Sequence, residues 1–114
     1  MKPYYLEVVT EELTENCESF SESLHVQFDG PIAELGNAFI AELDGGGFVG
    51  IRKPMSEAEL PVVRPYWLVD DIEVAVAKMI EKGAELMHPP LLIEGYGTFA
   101  IVQLGGNQQG FWQC

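Results

Sequence analysis

Two histidines, His25 and His88, stand sixty-three residues apart in a chain of 114. Imidazole moves protons near neutral pH and ligates metals, so these residues come first in a search for chemistry. Three roles stay open for them: solvated strand residues, a ligand contact, or a shared two-histidine metal site. No Ser–His–Asp order and no Cys–His pair supports nucleophilic catalysis. Glu7 and Glu42 lie in strand-like segments. Each is either a base in a cleft or an outward carboxylate of an alternating strand. Gly45-Gly46-Gly47 is not a phosphate loop, because no helix follows it. Four aromatic residues, Tyr4, Phe48, Tyr66 and Trp112, offer ring faces that stack on planar molecules and attract cations. The same rings would equally fill an ordinary core.

Strands and helices must position these groups, and their pattern is readable. Residues 4–9 are aromatic and β-branched and predict a strand. Thr10 is the expected cap of the next helix, with Glu11 and Glu12 at its positive end. Leu13, Cys17, Phe20 and Leu24 form the apolar stripe of that helix. Residues 26–35 predict a weak strand, broken at Asp29-Gly30-Pro31. Residues 38–43 and 47–52 predict a hairpin turning at Asp44-Gly45-Gly46. Residues 54–61 are polar, bounded by prolines, and predict a linker. Residues 62–69 predict a strand, after which Asp70 and Glu73 fit a capping box. Ile72, Ala75, Val76 and Met79 form the second stripe, and Gly83 ends that helix. Residues 85–93 contain Pro89-Pro90 and predict an edge strand. Residues 98–104 and 108–113 predict the last pair of strands. Pro89-Pro90 and Gly95-Tyr96-Gly97 predict a flexible connection that suits a lid.

The pattern is βαβββ, twice. Phe39, Gly45, Gly46 and Gly50 recur sixty positions on as Phe99, Gly105, Gly106 and Gly110. Tyr4 and Leu6 are matched sixty-two positions on by Tyr66 and Leu68. The expected organisation is one domain, residues 1–114, with module one at 1–53, a linker at 54–61 and module two at 62–114. Such a duplication predicts a pseudo-twofold α+β fold with a ligand cleft where the halves meet. Composition narrows the partners. A net charge of −12 argues against nucleic acid, which needs clustered cations. The same charge favours cationic ligands. No apolar run approaches the ~20 residues of a membrane helix. Cys17 and Cys114 make no disulfide framework, and the expectation is reduced thiols in a cytoplasmic protein.

A duplicated βαβββ unit of this length resembles the vicinal oxygen chelate superfamily of glyoxalases, bleomycin-resistance proteins and extradiol dioxygenases. The clearest stretch is Arg64-Pro65-Tyr66-Trp67-Leu68-Val69-Asp70-Asp71-Ile72, followed by Gly83-Ala84-Glu85. The ending, Gly105-Gly106-Asn107-Gln108-Gln109-Gly110-Phe111-Trp112-Gln113, is similar to the superfamily's last hairpin. The resemblance implies two curled sheets enclosing a cleft. It also implies a divalent metal held from the first and last strands of each module. The positions carried over are Lys2 or Tyr4, Arg64 or Tyr66, Gly50, and Gly110. None is a normal ligand for a catalytic divalent ion, so the expectation is no metal and no cofactor. His25 and His88 would begin outer edge strands of this fold.

If Gly110 marks the concave side, strand alternation brings Gln108 and Trp112 to the cleft, with Arg64 and Tyr66. By the same parity Phe48 and Arg52 line it from module one, beside Tyr4. The reading is a metal-free binding protein for a planar aromatic or cationic compound, similar to bleomycin-resistance members, with a homodimer expected. Two alternatives stand: a glyoxalase-type lyase, isomerase or dioxygenase with atypical ligands, and a dimerisation domain with a collapsed cleft.

Overall fold

The computed structural model describes residues 1–114. Eight strands and two α-helices follow one another as β1 (Pro3–Val9), α1 (Leu13–Leu24), β2 (Asp29–Ile32), β3 (Ala38–Glu42), β4 (Phe48–Arg52), β5 (Val62–Leu68), α2 (Ile72–Glu81), β6 (Glu85–Ile93), β7 (Gly97–Leu104) and β8 (Asn107–Gln113). The chain divides into two compact units. One is Tyr5–Val63. The other joins Met1–Tyr4 to Arg64–Cys114, so the first residues of β1 go with the second half of the sequence. The N–H of Leu68 donates to the Lys2 carbonyl at 3.0 Å, which ties the N-terminal residues to β5.

Each unit repeats one strand order. In Tyr5–Val63 it is β2-β3-β4-β1, with β1 and β4 parallel and the other pairs antiparallel. In the second unit it is β6-β7-β8-β5, with β5 and β8 parallel. The α+β class and the duplicated βαβββ order are therefore as the sequence implies.

The repeat offset differs from the one the Tyr-x-Leu match gives. Gly110 pairs with Tyr66, whereas Gly50 pairs with Glu7. The equivalent positions lie fifty-nine apart, as do Leu13 and Ile72, the first residues of the two helices. The two offsets differ by three residues, and an odd shift turns the strand over. The face of β1 that adjoins Gly50 carries Tyr5, Glu7 and Val9, all buried, and not Tyr4 and Leu6.

Local details differ by small steps. Asp71 rather than Asp70 caps α2; its Oδ1 accepts from Val74 N–H at 3.1 Å, and Gln113 Oε1 accepts from Ile72 N–H at 2.8 Å. Thr10 Oγ1, three residues before α1 begins, accepts from Glu12 N–H at 3.0 Å. The stripe of α2 buries Ile72 and Val76 against Ala100, with Val69 and Phe111 packed around them. The stripe of α1 is shallower. None of its residues is fully buried, and Leu24 is exposed. The weak strand at 26–35 shrinks to β2 plus the 3-10 turn Ala33–Leu35. β6 runs through Pro89-Pro90 as an edge strand by shifting register on either side of His88.

Candidate functional site

In the Tyr5–Val63 unit, cross-strand register brings one set of side chains to a common face. Glu42 opposes Phe48, Ile40 opposes Gly50, and Asp29 opposes Ile40. A cavity of about 300 Å³ opens here, lined by Val26, Gln27, Asp29, Ile40, Ala41, Glu42 and Phe48. Its chemistry is an aromatic ring, two carboxylates and an amide on an apolar floor. No cationic side chain lines it. The surrounding field has the same sign. This unit carries twelve Asp and Glu against Arg52 and Lys53, a net of −10, whereas the other carries six against four, a net of −2.

Farther along the same face Arg52 is held by carboxylates. Its Nε donates to Glu7 Oε2 at 2.9 Å, and its two terminal nitrogens donate to Glu59 at 2.8 and 2.7 Å. Arg52 and Glu7 are buried, at 3% and 7% exposure. Burial opposes the guanidinium charge, but Glu59 and Glu7 outweigh it and hold its pKa above the ordinary value. Burial is also the main cause raising the Tyr5 phenol, with the Glu7 charge second.

In the second unit the predicted residues gather on one face of β5-β8-β7, but as a packed cluster. Tyr66 and Trp112 are buried, and their rings meet edge to face at 5.8 Å. Tyr4 lies on Trp112 at 5.8 Å, Phe99 stacks on it at 6.3 Å, and His88 lies 4.7 Å from Phe99. Arg64 donates to Gln108 Oε1 at 3.0 Å and to the Tyr66 hydroxyl at 3.4 Å. Trp112 Nε1 donates to the Tyr96 carbonyl at 3.0 Å. That bond joins the Gly95-Tyr96-Gly97 turn to the cluster. A hydrogen bond to Cys114, then burial, pushes the Tyr4 phenol up to about 12.

The seven residues singled out from the sequence thus fall into two groups. Tyr4, Arg64, Tyr66, Gln108 and Trp112 belong to the second unit. Phe48 and Arg52 belong to the first, where Phe48 lines the cavity and Arg52 is occupied by Glu7 and Glu59. Sequence reasoning missed Tyr5, Asp29 and Glu59. The available signal was Arg52 itself: a cation destined for burial needs a carboxylate partner.

The raised phenols give a stability prediction. In the unfolded chain Tyr4 and Tyr5 lose their protons near pH 10; in the folded chain both hold them to higher pH. Their contribution is complete below about pH 10 and is lost as pH rises through the folded values. Denaturant midpoints should therefore fall on the alkaline side of about pH 10, and Tyr5→Phe should fall less steeply. Equal slopes for parent and Tyr5→Phe would remove Tyr5 from the account.

The residues do not fit the divalent ion that the fold family implies. At the corrected first-strand position Glu7 is a possible ligand, but its carboxylate accepts from Arg52. A Cβ on Gly50 would collide with the Tyr5 phenol, and one on Gly110 with the Tyr66 ring, so rings fill the space where ligand side chains would project. No three or more His, Cys, Asp or Glu side chains cluster as a metal site, and His25 serves instead as the left-handed C-cap of α1.

No protein-family model matches the chain, and no curated protein matches its sequence. Solved structures do match. A hypothetical protein from Bacillus halodurans aligns at TM-score 0.75 and 14% identity, over 99% of this chain and 94% of that one. Methylmalonyl-CoA epimerase from Mycobacterium tuberculosis aligns at 0.76 and 12%, over 97% and 86%. A variant of Streptomyces coelicolor methylmalonyl-CoA epimerase, in complex with 2-nitronate-propionyl-CoA, aligns at 0.73 and 12%, over 99% and 94%. The class is therefore defined at the level of architecture: this chain has the glyoxalase fold. At these identities the likeness carries no activity with it.

Proposed function

We propose that this chain is a metal-independent binding protein for a small cationic molecule, held in the cavity beside Phe48. The observation that carries this reading is the pairing of an aromatic ring with Glu42 and Asp29 around a cavity of about 300 Å³ that no cation lines. That volume is at the small end of ligand sites and suits an amine or a single planar cationic ring. The ring supplies cation–π attraction, the carboxylates supply charge, and the net −10 of the unit raises the local concentration of cations.

Calorimetric titration with quaternary ammonium and aromatic amine compounds, each beside its neutral isostere, tests the reading. The cations should bind more tightly, and the difference should shrink as salt shortens the Debye length. Phe48→Ala should weaken binding about 3- to 30-fold, the span expected of a cation–π contact. Glu42→Gln should weaken it in the same direction. Equal binding of cations and neutral isosteres, or a Phe48→Ala protein as competent as the parent, would sink the proposal.

A further inference from the structure

The Glu59 carboxylate sits where a ligand's carboxylate would be expected to sit. Both terminal nitrogens of Arg52 donate to it in a fork, one to each oxygen. The Met55 N–H adds a third donor, to Oε1 at 2.7 Å. Arg52 is 3% exposed; its Nε donates to Glu7, and the Nη1 that meets Glu59 also donates to the Lys53 carbonyl, so contacts other than Glu59 help hold the guanidinium. This is the planar two-point geometry by which arginine recognises carboxylates of any origin.

The occupant is held differently from its receptor. Glu59 belongs to a segment with no helix or strand, between β4 and β5. Its neighbours there bury little: Met55 is 70% exposed and Leu60 75%. Segments with few apolar contacts open at low cost. The receptor is therefore buried and hydrogen-bonded within the sheet, and the carboxylate filling it is carried on a strap that few apolar contacts secure.

We propose that the Arg52 fork and the Met55 amide form a carboxylate-binding site, and that Glu59 is its internal occupant, exchangeable for the carboxylate of a ligand. Entry of that ligand releases the strap at residues 54–61. The inference is independent of the cation cavity at Phe48, since it concerns different side chains and an anionic group. The unit's charge of −10 opposes free anions, so simple carboxylates are weak probes, best compared at fixed ionic strength.

The probes are formate and acetate, exchanged for chloride at constant ionic strength. Glu59→Ala should lower the Tm by about 5–10 °C. Formate should then raise that Tm along a saturating curve, as a ligand bound only by the folded state does. Chloride should not. Adding Arg52→Lys to Glu59→Ala should abolish the saturation, because an ammonium offers no fork. In the parent protein, formate should speed amide exchange at residues 55–60 while leaving the strands unchanged. Should Glu59→Ala fail to fold, Glu59→Gln takes its place in the same titration. Identical responses to formate and chloride, or parent exchange at residues 55–60 that formate does not alter, would overturn the inference and leave Arg52–Glu59 a structural ion pair.

Discussion

Arg52→Met is expected to cost about 3–5 kcal/mol of folding stability, because it removes the cation from a buried ion pair and leaves the carboxylate behind. Glu7 is 7% exposed and cannot recover its hydration where it lies. Its Oε2 loses the Arg52 Nε donor, and Glu59 loses both donors of the fork. A domain of this size has only about 5–15 kcal/mol in total, so the variant should sit near its unfolding threshold. The double variant Arg52→Met with Glu7→Leu should regain most of the loss, since a buried pair replaced whole by apolar groups of similar volume is often neutral. Urea denaturation of the parent, both single variants and the double variant closes the cycle. A single variant within about 0.5 kcal/mol of the parent would mean that water reaches Glu7 and that the pair is a surface one.

How much of this was legible beforehand divides along a physical line. Element positions were plain because they depend on local signals. The glycine turns, the apolar stripe of α2 and the alternation in the last strands each act over a few residues, and β6 emerged with the predicted bounds. Facing was less plain, because strand parity turns on a single residue. Tyr4 and Leu6 looked like Tyr66 and Leu68 since short strands draw on the same few aromatic and aliphatic residues. The pairing of Gly50 with Glu7, set against that of Gly110 with Tyr66, reveals the offset of fifty-nine. The candidate site suffered most. Phe48, which sequence parity singles out because it shares a strand face with Gly50, lines the cavity. Asp29 was hidden because it belongs to an irregular segment that only tertiary packing places beside β3. Glu59 was hidden for the same reason, as no periodicity ties a linker residue to Arg52.

Gly110 is the position at which the sequence resemblance implies a metal ligand, and the expected cost of any side chain there is large. The Tyr66 ring lies so close that a Cβ at Gly110 would overlap it, while Tyr66 itself is 4% exposed and wedged against Trp112 and Phe99. The ring has little room to retreat. Gly110→Ala should therefore cost about 1–3 kcal/mol, the usual range for overpacking. Tyr66→Ala should cost about 3–5 kcal/mol, through lost burial and the cavity left behind. The two should not add. Once the ring is gone the methyl group at position 110 meets no obstacle, so the double variant should cost less than the sum of the singles by about 0.5–3 kcal/mol. This coupling is what separates a glycine required by an overlying ring from one required by backbone conformation, for which the double variant would simply add. The paired comparison at Gly50 and Tyr5 should behave alike, because the Tyr5 phenol overlies Gly50 in the same manner. If both cycles couple, rings occupy both places from which a metal ligand would project, and a ligand carboxylate introduced at Gly110 would have to displace Tyr66 before it could meet any ion. Additive cycles at both positions would return the ligand positions to the metal-binding alternatives.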